Sequence, residues 1–584
     1  MTKIEKQNIF EWNGSGLIRN LGSARIYYEK VSKKKKSIES DIYNWFQKID
    51  PNVFSKDILH KSIRLIPKSE KIDEPVLWLV LFLVRSYEEG EICIPKETMY
   101  RWIAEKAPLS EPAKSIEEFL KNNKVGFLTD EVPFLEDMDS FYLVHLQKAE
   151  KELSENMFSL LHSFQISQSK ELENSSLSEE QKSVIGNSLK NTISFISGGP
   201  GTGKTTIIIS IVRESILRGI DISKIALTAP TGKATKRLRE SANKLYKDYP
   251  SLQSPITIHK LLSYSNSRKT FLKNESNPLN LELLIVDESS MIDIFISNAL
   301  LKALPKSEDL RVVFLGDPDQ LMSVGAGNIF SELVQIKDFS FKLTKSFRIT
   351  SQKEDITKLK EAIKENKDFD LNPYLVQTVE KSLREFSFVE VLEPKENLYI
   401  ELSLWRELAK NMKETYQILT PFNEGKGGVS EINEYLHKKY TENIDSIDSS
   451  TPVIVKRNLY DYDLFNGETG YLKNVNGKNI FLNSDSKVEI EISHGLLSYL
   501  EKAYSITVHK SQGSEYDHVC LVLPNREDFK NSILTKRILY TAITRCKKTL
   551  TIIGSVSTFD SAIKNPGNRG SSNFLKRIEN LKIP

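Results

Sequence analysis

The stretch "SGGPGTGKTT" (Ser197 to Thr206) limits what this chain can fold into more than any other. It lies between two apolar runs, "ISFI" (Ile193 to Ile196) and "IIISIV" (Ile207 to Val212). A β-branched run, a glycine-rich turn and a longer apolar run predict a buried strand, a tight loop and a helix. Gly198, Gly203, Lys204 and Thr205 meet the P-loop spacing GxxxxGKT, and Gly199, Pro200, Gly201, Thr202 and Thr206 complete the segment. In such a loop the backbone N–H groups and the helix N-terminus face phosphates. Lys204 then reaches the β- and γ-oxygens, and the Thr205 hydroxyl joins Mg²⁺.

A P-loop needs a second carboxylate on the magnesium side and a group that aims water at the γ-phosphate. Four apolar residues, Leu283 to Val286, run directly into Asp287-Glu288. Both carboxylates therefore fall at the C-terminal end of a buried strand, where doubly wound sheets hold their ligands. Asp287 is placed to hold the Mg²⁺ shell and Glu288 to polarise the attacking water. "GDPDQL" (Gly316 to Leu321) ends a further strand and offers Gln320 to the γ-phosphate. A kinase or a small GTPase could use the same parts.

At 584 residues the chain has room for three or four domains of about 150 residues each. Its 39% hydrophobic and 27% charged residues are those of an ordinary soluble protein. The longest apolar run, "VLWLVLFLV" (Val76 to Val84), is half the roughly 18 residues a membrane span needs and predicts a buried helix. The N-terminus, "MTKIEKQNIFEW", is charged where a signal peptide is apolar, and Cys93, Cys520 and Cys546 are too scattered for a disulfide framework. A cytoplasmic protein is expected, with no membrane partner. A net charge of +3 neither demands nor excludes a polyanion, and the Lys33 to Lys36 cluster reads as a solvated loop.

The pattern along the chain predicts an N-terminal, mainly helical region over 1–165, closed by the polar linker "SQSKELENSS" (Ser167 to Ser176). Over 166–340, short β-branched runs alternate with helical segments, the signature of a parallel sheet covered on both faces. A second α/β region is expected over 341–584. Between about 450 and 500 it changes to short strands with turns, including "FNGETGYL" (Phe465 to Leu472), read as a small inserted β-barrel.

Further segments separate the classes that share a P-loop. "LTAPTGKATKRL", "TIHKLL", "IVDESSMID", "GDPDQLMSVGAG", "LTKSFR", "ITVHKSQGSEYDHVCLVLP" and "LYTAITRCKKTL" resemble, in this order, the motif series of superfamily 1 DNA helicases. Within that superfamily they are most similar to the RecD branch, the α subunit of exodeoxyribonuclease V. The likeness runs from about 177 to 555.

The resemblance implies two RecA-like motor domains, an SH3-like barrel in the second, and a docking role for the N-terminal region. It implies ATP and Mg²⁺ as cofactors and 5′ to 3′ unwinding of DNA. Gln181 matches the adenine-contacting glutamine, and Arg348 and Arg545 match two arginine fingers from the second motor domain. Thr231, His259, Thr507 and His509 match motifs lining the single-strand track. The implied partners are DNA and RecB-like and RecC-like subunits in a heterotrimer. No helix-hairpin-helix glycine pattern is present in the N-terminal region, which favours the subunit form. No carboxylate cluster outside the motor suggests a nuclease site. Two other readings stay open: a stand-alone RecD-like helicase, and an ATP-gated DNA-binding switch that does not translocate.

Overall fold

The computed structural model describes residues 58, 62, 74–106, 113–114, 116–118, 134–163, 177–345, 347, 354–382, 384–391, 397–441, 450–484, 487–523, 534–567 and 571–581. The Lys33 to Lys36 cluster, the 167–176 linker and Arg348 lie outside them.

The apolar run at Val76 forms the middle of helix α1 (Glu74–Glu88), and every residue from Val76 to Val84 is buried. A small antiparallel sheet follows, with β3 (Ser140–Leu143) between β1 (Cys93–Pro95) and β2 (Phe134–Asp137). Helix α2 (Val144–Leu161) then runs against the first large sheet.

That sheet is six-stranded and wholly parallel, in the order β11-β4-β10-β9-β5-β6. Its strands are β4 (Ile193–Gly198), β5 (Ile225–Ala229), β6 (Ile256–Thr257), β9 (Leu283–Val286), β10 (Arg311–Gly316) and β11 (Ser340–Leu343). The short hairpin β7 (Tyr264–Ser265) and β8 (Thr270–Phe271) stands outside it. Strands covered on both faces must be apolar throughout, and all four residues of β9 are fully buried. The helices that matter here are α3 (Glu179–Lys190), α4 (Lys204–Leu217), α5 (Gly232–Ser241) and α6 (Ile294–Lys302).

The second half repeats the plan after α7 (Glu354–Glu365), with a parallel sheet ordered β12-β13-β22-β21-β14-β20. These are β12 (Leu375–Val376), β13 (Phe386–Glu390), β14 (Tyr416–Thr420), β20 (Ser505–Thr507), β21 (Tyr516–Leu523) and β22 (Cys546–Gly554). Helix α8 (Lys536–Ile543) leads into β22. Two RecA-like halves, both α/β, thus carry the chain. No helix among the described residues is long and apolar enough to cross a membrane.

Three placements differ from the sequence reading. The boundary expected at 340/341 puts Phe341–Leu343 in the second half, yet Ser340–Leu343 pairs in parallel with β4 and completes the first sheet. The insertion is a five-stranded antiparallel sheet ordered β18-β17-β16-β15-β19. Its strands are β15 (Thr451–Val455), β16 (Thr469–Val475), β17 (Lys478–Asn483), β18 (Glu489–Ile492) and β19 (Leu500–Lys502). Among the described residues β18 and β19 do not pair with each other, so backbone hydrogen bonds do not close it into a barrel.

Third, the C-terminal helix α9 (Phe574–Leu581) leaves the second half and packs on α2. Phe574 and Ile578 share one continuous core with α1, α2 and the first sheet. The described part of the N-terminal region is therefore built into the first half rather than hung from it. Within that core Glu150 is fully buried. Its carboxylate accepts from Tyr142 Oη–H (2.9 Å), Arg577 Nε–H (2.7 Å) and the Asn573 N–H (2.8 Å).

Removing one partner of a buried ion pair strands the other charge and costs about 3–5 kcal/mol. Arg577→Leu is expected to lower the protection of α2 amides in native-state hydrogen exchange by about that amount, and Glu150→Gln added to it should recover part of the loss. Unchanged protection in Arg577→Leu contradicts this anchoring.

Candidate active site between the two halves

The P-loop turns from the C-terminal end of β4 into α4. Gly203, the residue before α4, has φ 86°, a left-handed backbone that glycine adopts without strain. A Cβ there would stand 2.7 Å from Gln181 Nε2, so Gln181 packs directly on the loop. Gln181 is buried and fixed in a capping box: its Oε1 accepts from Ser178 N–H at 3.1 Å while its own N–H donates to Ser178 Oγ at 3.2 Å. Thr202 Oγ1 donates to the Gly199 carbonyl at 2.8 Å. Lys204 Nζ donates to the carbonyls of Gly198 (2.7 Å) and Gly199 (3.1 Å), lying across the mouth of the loop. Thr205 and Thr206 open α4, beside Lys204.

At the end of β9, Asp287 is half-buried, and desolvation beside Glu288 pushes its carboxyl up to about 6 while Lys204 pulls it down. Glu288 adopts φ 51°, a left-handed conformation that costs a residue with a Cβ about 1–2 kcal/mol. Its N–H donates to Asp287 Oδ1 at 2.9 Å. At the end of β10, Asp317 is buried and also raised, and Gln320 Nε2 donates to its Oδ2 at 3.0 Å.

The second half closes onto these groups through α8 and the turn after it. Arg545, buried, donates from Nη2 to Gln320 Oε1 at 2.7 Å and from Nε to the Thr541 carbonyl at 3.0 Å. Burial lowers the Arg545 pKa and nearby Glu288 opposes that shift, so Arg545 and Glu288 are electrostatic neighbours. Tyr540 Oη donates to Asp317 Oδ2 at 3.3 Å, and the Leu321 N–H donates to Thr541 Oγ1 at 2.9 Å. Lys364, near the end of α7, pairs with Asp319 at 2.9 Å. Arg348 falls outside the described residues, but its neighbour Phe347 donates its N–H to the Gly201 carbonyl at 2.9 Å.

The sequence pointed to Lys204, Asp287, Glu288, Gln320 and Arg545, and these converge on one place. It missed Asp317, Tyr540 and Thr541, which stood inside the quoted motifs, and Lys364, which stands in none. Asp287, Glu288 and Asp317 concentrate negative charge in a confined place, and Lys204 is the cation that bears on both aspartates. A lysine facing loop carbonyls, an adjoining threonine and this carboxylate excess fit a magnesium–nucleotide complex, in which Mg²⁺ takes few protein ligands and keeps waters and phosphate oxygens.

The four residues matched to a single-strand track follow or end β5, β6 and β20, on the same carboxyl-terminal side of the two parallel sheets but toward the edge strands. Thr231 caps α5, its Oγ1 accepting from the Ala234 N–H at 3.2 Å. Thr507 ends β20 and its Oγ1 accepts from the Lys510 N–H at 3.1 Å, with His509 exposed next to it. Both hydroxyls keep a proton to donate. His259 packs on Tyr264 and Phe271 of the β7–β8 hairpin, with ring centroids 5.7 and 5.6 Å away, and burial lowers its pKa.

Across this edge the insertion grips α5. Lys233 Nζ donates to the Gly467 carbonyl at 2.9 Å, Lys236 pairs with Glu468 at 3.0 Å, and Arg239 with Asp463 at 3.1 Å. Phe465 lies so close to Gly232 that a Cβ there would come within 2.3 Å of its ring.

Two parallel sheets meeting over a P-loop, with an arginine from one reaching the catalytic turn of the other, define a two-domain nucleotide-driven motor of superfamily 1. Residues 181–326 match the AAA domain family and residues 502–553 the UvrD-like helicase C-terminal domain. The RecBCD enzyme subunit RecD of Buchnera aphidicola subsp. Schizaphis graminum is 32% identical over 508 residues, covering 73% of this chain and 82% of that protein. The RecD subunit of Mycobacterium tuberculosis is 26% identical, covering 88% and 93%. The ATP-dependent RecD2 DNA helicase of Deinococcus radiodurans is 29% identical, covering 69% and 52%. The chain belongs to the RecD family, and it is an ATP-dependent DNA helicase.

Gln320 and Arg545 act as one joint, so their deletions are expected not to add. Arg545→Ala should cut ATP turnover about 10³-fold or more, the lower end for a lost arginine finger, while nucleotide affinity stays within about tenfold. Adding Gln320→Ala should lower turnover less than about threefold further. Steady-state ATPase and equilibrium nucleotide binding measure both, and multiplicative losses would show that the two side chains work separately.

Proposed function

We propose that this chain is the α subunit of a RecBCD-type exodeoxyribonuclease V, acting in the cytoplasm with RecB-like and RecC-like subunits in double-strand break repair and recombination. Within that assembly it moves 5′ to 3′ along single-stranded DNA and unwinds the duplex. The observation that carries the motor reading is the buried Arg545–Gln320 bond, which ties the water-aiming turn of one half to the other half. The extent of the likeness supports the subunit reading, because the chain spans 82% and 93% of two RecD subunits but about half of RecD2.

Bound ATP with Mg²⁺ supplies the phosphoanhydride whose cleavage drives the cycle. Thr205 and Asp287 would hold the metal, and Gln181 the adenine. Lys204 exchanges the Gly198 and Gly199 carbonyls for the β- and γ-oxygens. Glu288 orients and deprotonates the attacking water, and Gln320 couples it to Arg545. Arg545, with Arg348, neutralises charge that develops on the transferred phosphoryl group. Thr231, His259, Thr507 and His509 contact phosphates and sugars without reading sequence. The N-terminal region, residues 1–165, presents the partner surface.

A nucleotide-gated switch would have no use for a length-dependent cycle. ATPase in excess DNA is expected to rise with single-strand length for the parent, whereas a flat response marks a static switch. Lys204→Ala should lower that rate about 10³-fold or more, as loss of a transition-state contact of several kcal/mol does. Retention within tenfold removes the site assignment. Co-purification of the tagged chain with a RecB-like subunit separates the subunit from a stand-alone helicase.

A further inference from the structure

One cation beside the loop has no place in the motif series. Lys364 sits one residue before the end of α7, in the second half, and its Nζ stands 3.8 Å from where a Cβ on Gly199 would be. Gly199 is also the residue whose carbonyl receives Lys204 Nζ at 3.1 Å. Two ammonium groups therefore converge on one residue of the P-loop, one from each half. Both also bear electrostatically on the buried Asp317 carboxyl. Since Lys204 marks where the β- and γ-oxygens lie, Lys364 is within a side chain's swing of the same oxygens.

The surroundings guide such a swing. The Lys364 ammonium lies 4.9 Å from the centre of the Tyr540 ring, a cation–π contact that leaves its protons free to turn. Tyr540 Oη is itself 3.3 Å from the same Gly199 Cβ position. A cavity lined by Asp319, Lys364, Lys536, Arg537 and Tyr540 opens beside the ammonium and gives it room. Its present partner, Asp319, is half exposed, and pairs of that kind bind weakly. A terminal phosphate carries more negative charge than one carboxylate and accepts more hydrogen bonds.

We propose that Lys364 is a phosphate-binding residue of the ATP site: on nucleotide binding its ammonium leaves Asp319 for the terminal phosphate, so the second half distinguishes a triphosphate from a diphosphate. The proposal rests on the reading of the P-loop as the ATP site. A plain ion pair that fastens the halves is the competing account, and it makes Lys364 and Asp319 equivalent. Under the phosphate account they have opposite effects, because deleting Asp319 frees the lysine.

The experiment is equilibrium binding of a fluorescent non-hydrolysable ATP analogue and of fluorescent ADP to the full chain with single-stranded DNA. Lys364→Met is expected to weaken the triphosphate about tenfold and ADP less than about twofold, the size of one charge-assisted contact. Lys364→Arg should restore most of the loss, and Asp319→Asn should leave triphosphate binding as tight as in the parent or tighter. The proposal is overturned if Lys364→Met and Asp319→Asn weaken both nucleotides alike, or if neither changes the preference for triphosphate. Lys204→Ala is the control that separates the two readings. If its steady-state ATPase stays within tenfold of the parent, the ATP-site reading fails and the proposal with it. If its ATPase collapses while Lys364→Met binds the triphosphate as the parent does, the proposal alone fails.

Discussion

The hydrogen bond from Arg545 to Gln320, 2.7 Å long and buried, is where the two halves become one machine. A guanidinium removed from water needs partners, and Arg545 donates four hydrogen bonds, to Gln320, Thr541, Ser514 and Thr544. Only the Gln320 contact crosses between halves. Asp317 holds the other end of the same glutamine amide, and Tyr540 holds Asp317. A change of charge at the P-loop thus meets a continuous, directional network instead of a loose surface, and sub-ångström shifts there are passed on as rotation of one packed body against another.

Beyond the carboxyl ends of β5 and β20, the contacts are of a different kind. The insertion's Glu468 is buried and held by Asn483 as well as Lys236, so this pair is a fixed joint and not a passing surface contact. Lys233 and Lys236 belong to the helix that Thr231 caps, and the Thr507–Lys510 turn lies close by: the Lys510 carbonyl is 3.9 Å from the Cβ position of Gly467. The insertion, the helix that Thr231 caps and the Thr507–Lys510 turn are thus packed as one unit. The C-terminal helix adds a second restraint, since it returns from the second half to the body formed by the N-terminal region and the first sheet. The second half is leashed at both its ends.

Much of this was legible in the chain. Buried parallel strands declare themselves as unbroken β-branched runs, and a P-loop fixes where its strand ends, so β4, β9 and β10 and the residues at their tips followed from local pattern. What the pattern could not supply was partnership. Ser340–Leu343 looks the same whether it adds to the first sheet or begins the second, and only pairing with β4 decides. The turn residues of the insertion predicted its strands but not whether the ends meet. Helix α9 carries two apolar anchors and an arginine, ordinary for any surface helix, and Glu150 in α2 gives no sign that it waits for them. Lys364 is one lysine in an amphipathic helix, and its distance from Gly199 exists only in three dimensions.

The central claim, that nucleotide at the P-loop closes one half on the other, is open to direct measurement. The three cysteines are buried, so cysteines placed at exposed Lys244 in the first half and Lys410 in the second can be labelled selectively. Single-molecule energy transfer between them, on DNA-bound full chain, should report a distance that differs between a non-hydrolysable ATP analogue and ADP, and Arg545→Ala should abolish the difference. One distance, the same with either nucleotide in the parent chain, would contradict the account.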